Sequence, residues 1–117
     1  MSDSAHKKHL FVLYAPDHTD ADAPSRRLAV RPKHIEAGKQ LYADGVHRLG
    51  GAMISPDTYQ TDSKKMVGSF LIFEAESIEA VREIVEKDVY WTGNVWDKEK
   101  LAIIPFVAAH PFPPASA

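Results

Sequence analysis

Short apolar runs separated by polar connections set the pattern of this 117-residue chain. The four runs lie at 9–15, 46–54, 66–75 and 101–109. Runs of this length, rich in β-branched and aromatic residues and bounded by turn-forming residues, predict β-strands. The run at 66–75 is the clearest. The run at 46–54 is the weakest because Gly50 and Gly51 interrupt it, which indicates a bulge or a close backbone approach.

A longer stretch at 25–44 has helical periodicity. Leu28 and Ile35 fall near one stripe, and Gly45 follows as a typical helix stop. Pro32 is the irregular residue of this stretch. It either takes the first position of a new helix, where its missing N–H does no harm, or kinks a helix that began earlier.

A second helix is predicted after Ser77, a residue type that caps helices. Its apolar positions face one way and are Ile78, Val81, Ile84 and Val85. The polar stretches at 16–25 and 55–65 predict loops, and the second of them is either a hairpin loop or a mobile flap. The resulting order is strand, helix, strand, strand, helix, strand.

This order predicts an α+β fold of the ferredoxin-like βαββαβ type, with a four-stranded antiparallel sheet and both helices on one face. Both faces of the strands at 9–15 and 66–75 are apolar, whereas a strand with one wet face alternates apolar and polar residues. Two helices cover about one face of such a sheet. The pattern therefore predicts a homodimer in which two sheets pack face to face as a dimeric α/β barrel.

Composition narrows the class of protein. With 44% hydrophobic and 26% charged residues, the chain is typical of one globular domain, which we place at 9–108 between a flexible N-terminal segment (1–8) and an extended C-terminal tail (109–117). A net charge of -2 with interspersed signs argues against nucleic acid, and no apolar run is long enough for a membrane span. The chain has no cysteine and no secretion signal, so we predict a cytoplasmic location.

His34 is the first candidate for chemistry. If the backbone is helical through this region, Arg27, Arg31, His34 and Gly38 lie on one helix face. Flanking arginines favour a neutral imidazole, which can serve as a general base, and a carboxylate neighbour would orient the ring and select its tautomer. The alternative is a partly exposed histidine without a role, beside a solvated cationic helix face.

The carboxylate partner is not determined by spacing. The candidate aspartates are Asp17, Asp20, Asp22, Asp44, Asp57, Asp62, Asp88 and Asp97. Asp88 stands apart because it ends the second predicted helix, where the helix dipole disfavours a negative charge, so its position calls for compensation. The alternative is a solvated carboxylate that simply ends the helix.

Aromatic residues follow Asp88 closely. Tyr90, Trp91 and Trp96 form either the wall of an apolar pocket or part of the core or a subunit interface. Gly51 and Ser69 either let a ligand approach the backbone or belong to a bulge and to ordinary strand packing, and neither forms part of a phosphate-binding pattern. Six histidines show no metal-ligand signature, so we predict neither a metal nor another cofactor.

Four segments together carry a family resemblance, and they are RRLAVRPKH, LGGAM, GSFLIFEAES and VEKDVYWTGNVWDKEKLAIIPF. They resemble the YCII-related (YciI-like) family across 9–106. The resemblance implies small dimeric α+β barrels related in fold to muconolactone isomerase, with an active site that uses a histidine and an aspartate. Those residues correspond to His34 and Asp88. The chain departs from the family pattern at Val89, where proline is usual.

Most members of this family have no established activity, and one similar branch is a dehydrochlorinase that acts on a chlorinated hydroxyquinol. We therefore predict a lyase or isomerase in which Asp88 orients His34, and His34 removes a proton from a small cyclic or aromatic substrate. Arg27 or Arg31 would stabilise the developing enolate or phenolate. The predicted substrate-binding residues are Arg27, Arg31, Gly51, Ser69, Tyr90 and Trp91. The competing hypotheses are a non-catalytic dimer that binds a metabolite or assists a pathway, and a cofactor-independent oxygenase.

Overall fold

The computed structural model describes residues 7–110, and its helices and strands follow the predicted order. The elements are β1 (His9–Pro16), α1 (Ala23–Ala43), β2 (His47–Ile54), β3 (Met66–Ala75), α2 (Ile78–Lys87), α3 (Val89–Thr92) and β4 (Ala102–Phe106). The short helix α3 is an addition to the prediction. The predicted terminal segments fall largely outside the described residues, since 1–6 and 111–117 are not among them.

The strands form one four-stranded antiparallel sheet in the order β2-β3-β1-β4. β1 and β3 are the central strands, and Leu13 of β1 lies between Leu71 of β3 and Ile103 of β4. The predicted α+β, ferredoxin-like architecture is confirmed. Among residues 7–110, no helix is both long enough and apolar enough to cross a membrane.

Pro32 lies inside one continuous helix, α1, and does not begin a new helix. The helix begins at Ala23, two residues before the predicted start at Ser25, because Pro24 falls in its first turn, where a missing N–H breaks no intrahelical hydrogen bond. After the helix, Gly45 adopts a φ of 78°, a left-handed conformation that glycine takes without strain.

Strand β2 contains irregularities, but not at the glycine pair. Its register against β3 shifts between His47 and Leu49 and again near its end. Gly50 marks a close approach instead, because a Cβ atom there would clash with Leu71 Cδ2. The polar stretch at 55–65 joins two antiparallel neighbours, and the Ser55 N–H donates to the Lys65 carbonyl at 2.9 Å, so this stretch is a hairpin loop.

The core lies between the helices and one face of the sheet. Ser77 caps α2 as predicted, since its Oγ accepts the Ala80 N–H at 3.1 Å. The buried apolar side chains of this core include Phe11, Leu13, Leu71, Phe73, Val81, Val85, Tyr90 and Trp96. Alternate residues of the strands point away from the helices, and several of them are large, apolar and exposed: Tyr14 (46%), Leu49 (55%), Ile104 (53%) and Phe106 (37%). In the single chain, no helix among residues 7–110 covers this outer face of the sheet.

Candidate active site

His34 and Asp88 lie in direct contact, although 54 residues separate them in sequence. His34 Nδ1 is 2.9 Å from Asp88 Oδ1 and 3.0 Å from Oδ2. Because a carboxylate only accepts hydrogen bonds, the Nδ1–H of His34 donates and the proton of the neutral tautomer is assigned to this nitrogen. Nε2 has no hydrogen-bond partner among residues 7–110 and is left to accept a proton.

Asp88 holds its position through the two helices that meet there. It is the C-terminal cap of α2 and the N-terminal cap of α3, and its Oδ1 accepts the Tyr90 N–H at 2.8 Å. The start of α3 therefore compensates for the unfavourable dipole at the end of α2. Val89, where the family resemblance implies a proline, occupies the first position of α3, and the side-chain cap on the Tyr90 N–H orients Asp88.

The imidazole of His34 is held by aromatic rings. It stacks on Tyr90 with 3.8 Å between ring centroids and 12° between planes. The Trp96 ring meets it edge-on, with 6.1 Å between the ring centroids. Both members of the contact with Asp88 are mostly buried, with side-chain exposures of 16% for His34 and 14% for Asp88. Burial raises the pKa of the Tyr90 phenol, so this ring stays uncharged beneath the imidazole.

Arg27 lies beneath this site in a buried ion pair with Asp17. Its Nη1 is 2.8 Å from both carboxylate oxygens, and the guanidinium lies 4.6 Å from the Tyr90 ring centroid. Ser69 Oγ accepts hydrogen bonds from Arg27 at 3.4 Å and from Trp96 Nε1 at 3.1 Å. Burial raises the pKa of Asp17, and the charge of Arg27 opposes that shift. The charge of Arg27 is thus balanced within the protein.

A cavity of about 360 Å³ opens beside the imidazole, between α1 and the strands β2 and β3. Six residues of the predicted site line it, namely Arg27, Arg31, His34, Gly51, Ser69 and Tyr90. Trp91 is not among its lining residues. The Trp91 ring packs on the hydrophobic core, with the Lys98 ammonium 4.9 Å from its centroid, so the structure does not bring it to the pocket.

His47 also lines this cavity and was missed by the sequence analysis. It begins β2, is 8% exposed and meets Phe73 edge-on at 4.7 Å. Burial lowers the pKa of His47 from 6.5 to about 4, with Asp88 opposing this shift and His34 adding to it. The local sequence has no signal for this role, because the two glycines nearby obscure which residues of the strand face inward.

The lowered pKa of His47 predicts acid sensitivity of the fold. Between pH about 6.5 and about 4 the unfolded chain takes up a proton at His47 that the folded chain does not, so stability falls as the pH falls through this range. We expect His47 to account for about 1–3 kcal/mol of that loss. Urea unfolding at pH 7 and pH 4.5 should show a smaller acid loss for His47→Leu than for the wild type. Exposed His9 provides the control His9→Leu, and an equal acid loss in all three proteins would contradict the prediction.

Metal ligation has no evident site in the described part of the chain. Among residues 7–110, no three His, Asp or Glu side chains are grouped so that they could hold a metal ion. The side chains that line the pocket supply an oriented imidazole, a guanidinium from Arg31, and the polar groups of His47 and Ser69.

Comparison with known proteins connects this geometry to a family. A family model described as the YCII-related domain matches residues 9–107. The curated protein YciI of Escherichia coli O6:H1 (strain CFT073) is 33% identical over 97 residues, which cover 83% of this chain and 95% of that protein. Fusaric acid biosynthesis protein 2 of Gibberella fujikuroi is 29% identical, covering 86% of this chain and 92% of that protein.

A solved structure shares the fold. It is 5-chloro-2-hydroxyhydroquinone dehydrochlorinase from Burkholderia phenoliruptrix AC1100, in complex with 2,5-dihydroxybenzoquinone. The two chains superpose with a TM-score of 0.67 at 27% identity, and the match covers 87% of this chain and 95% of the other. The matched family model spans nearly all of the described residues, and with the relatives above it shows that this chain belongs to the YCII-related family.

Proposed function

We propose that this protein is a small-molecule lyase or isomerase in which the pair His34 and Asp88 removes a proton from a small cyclic or aromatic substrate. The observation that carries the proposal is the 2.9 Å contact between His34 Nδ1 and Asp88 Oδ1 at the wall of a cavity. Asp88 orients the ring and holds the proton on Nδ1, so that Nε2 acts as the base.

The negative charge that develops on the substrate needs a partner. Arg27 lines the cavity, but Asp17 already neutralises it. Arg31 lies three residues before His34 on the same helix face, lines the cavity, and has no ion pair within residues 7–110. We therefore assign stabilisation of the enolate or phenolate oxygen to Arg31, and to Arg27 the support of Tyr90, on which His34 stacks.

The first compound to test is 5-chloro-2-hydroxyhydroquinone, which the structural neighbour dehydrochlorinates. The step removes a proton and expels chloride, so that hydrogen chloride is lost and no oxidant is needed. Wild-type protein should release chloride at a rate proportional to enzyme concentration. If neither this compound nor a panel of cyclic lactones and hydroxylated rings is converted while some of them bind, the protein is a metabolite-binding module and the proposal is wrong.

We also propose that the chain forms a homodimer through the outer face of its sheet. Tyr14, Leu49 and Ile104 are about half exposed on this face, and by register they stand beside further apolar residues such as Phe70 and Val12. An apolar sheet face of this extent is unfavourable in water, and a second copy of the same face covers it symmetrically.

Replacing Ile104 by aspartate should convert the dimer into a folded monomer. The substitution places a charge within the apolar face, on the edge strand β4, where burial against a partner is costly and exposure to water is not. Light scattering after size exclusion would report the mass, and circular dichroism would report the fold. Leu28→Asp is the matched control, since Leu28 is 60% exposed on α1, away from the outer face, and should leave the mass unchanged. A wild-type protein that is still monomeric at about 100 μM would contradict the proposal, because a dimer with a Kd of about 1 μM is mostly assembled at that concentration.

A further inference from the structure

The cavity beside His34 contains a second imidazole that the proposed mechanism does not use. His47 reaches it from the sheet, at the start of β2, whereas His34 reaches it from α1. The two rings are neighbours along the cavity wall: the His47 ring lies 3.9 Å from the position that a Cβ atom would take at Gly38, and Gly38 is one helical turn from His34. A ligand beside His34 would therefore also meet His47.

The His47 ring has polar capacity that the protein leaves unused. The His47 ring packs edge-on against the Phe73 ring, which uses no hydrogen bond. Neither ring nitrogen of His47 has a hydrogen-bond partner among residues 7–110. The residue is only 8% exposed, and a buried polar group without a partner is destabilising. Neither nitrogen is completely sealed within the protein, however. Among residues 7–110, the completely buried side-chain nitrogen or oxygen atom without a partner is Arg27 Nε, so the unpaired His47 nitrogens retain some accessible surface.

The charge state of His47 suits recognition of a neutral group. With its pKa lowered to about 4, the ring is uncharged at neutral pH, so one nitrogen donates a hydrogen bond and the other accepts one. A hydroxyl oxygen can use either nitrogen, and a carbonyl oxygen can use the donor. The charged side chains of the cavity wall are Arg27, Arg31 and Lys39, and all three come from α1. His47 thus supplies a neutral polar position on the sheet side.

The size and lining of the cavity suit a single ring. A cavity of about 150 Å³ is sufficient to hold benzene, and this one measures about 360 Å³. Ile35, Tyr42 and Leu71 supply apolar lining around the polar groups. A flat ring can lie against these side chains while its substituents reach the imidazoles.

We propose that His47 is a substrate-binding residue that hydrogen-bonds a hydroxyl or carbonyl oxygen on the ring of the substrate, and so selects for oxygenated rings. The inference rests on the proposed function for the assignment of this cavity as the substrate site, and does not depend on the identity of the base. His47 selects the substrate, whereas His34 acts on its proton.

Binding of hydroquinone, followed by NMR titration of labelled protein, tests this inference. Toluene, which has the ring without oxygen, is the control ligand. Losing one neutral hydrogen bond in His47→Leu should weaken hydroquinone binding by about three- to tenfold, while toluene binding is unchanged or tighter. His47→Asn, which keeps a donor and an acceptor, should recover part of the affinity, and His9→Leu should have no effect. In the wild type, the ring resonances of His47 should shift when hydroquinone is added, a readout that needs no variant.

Three results would overturn the proposal: equal loss of hydroquinone and toluene binding in His47→Leu, unchanged hydroquinone binding in that variant, or a wild type that does not bind hydroquinone. The first of these would assign His47 a role in pocket shape only. Failure of the proposed function has a different signature, namely turnover that persists in His34→Ala. Binding through His47 can be measured in that same variant, so the two failures are distinguishable.

Discussion

Replacing His34 by alanine is expected to reduce the rate of chloride release by about 100- to 10,000-fold, which is the usual contribution of a positioned general base. The substitution removes Nε2, the atom assigned to proton abstraction, and also leaves Asp88 without the donor at 2.9 Å. Because substrate binding is proposed for His47 and the apolar lining of the cavity, KM should change less than kcat. The readout is the steady-state rate of chloride release, with the fold checked by circular dichroism.

Asp88→Asn is the sharper variant for the same question. Asparagine is also a good helix cap, so it preserves the bond from the Tyr90 N–H that begins α3. Its amide group can however donate to Nδ1, which favours the wrong tautomer of His34 and places the proton on Nε2. We expect a loss of kcat approaching that of His34→Ala, with little loss of stability.

His18→Ala is the matched control for both variants. His18 also contacts a polar side chain, with Nε2 3.1 Å from Asn94 Oδ1, but it lies on the surface outside the cavity. Its activity should equal that of the wild type. Full turnover in His34→Ala would remove the assignment of the base, and full turnover in Asp88→Asn would limit Asp88 to the capping of α3.

Replacing Asp17 by asparagine is expected to lower the free energy of unfolding by about 3–5 kcal/mol, because it leaves the Arg27 guanidinium buried without a counter-charge. The side chains of the pair are only 4% and 6% exposed. Urea unfolding at pH 7 measures the change. Removing both charges together, in Asp17→Asn with Arg27→Met, should recover part of the loss, since no isolated charge then remains in the interior.

The chain contains a matched control for this effect in the neighbouring pair Arg26 and Asp20. Its closest contact is also 2.8 Å, but its side chains are 29% and 51% exposed. Asp20→Asn should therefore change stability far less than Asp17→Asn, because water replaces the lost partner. Equal losses in the two variants would show that burial is not what makes the Asp17 pair important, and would contradict the prediction.

Much of the fold could be read from local pattern. The run at 66–75 coincides with β3, Ser77 caps α2, and the order of elements follows from the alternation of strand and helix signals. These features depend on residues within a few positions of each other, so a single sequence contains them. The placement of Gly50 shows the limit: a glycine pair indicated an irregular backbone, but only the facing Leu71 side chain shows that Gly50 is the position of close approach.

The residues of the candidate site divide in the same way, into those that the sequence indicates and those that only the fold brings to the cavity. The sequence by itself determined that His34 shares a helix face with two arginines, and the family resemblance singled out Asp88 among the eight candidate aspartates. Only the tertiary structure decided that Asp17 neutralises Arg27, that Trp91 lies apart from the cavity, and that His47 lines it. Helical periodicity places residues three or four positions apart, whereas a contact across 54 residues depends on how α1 packs against the junction of α2 and α3. That packing is a property of the whole fold, and no local spacing encodes it.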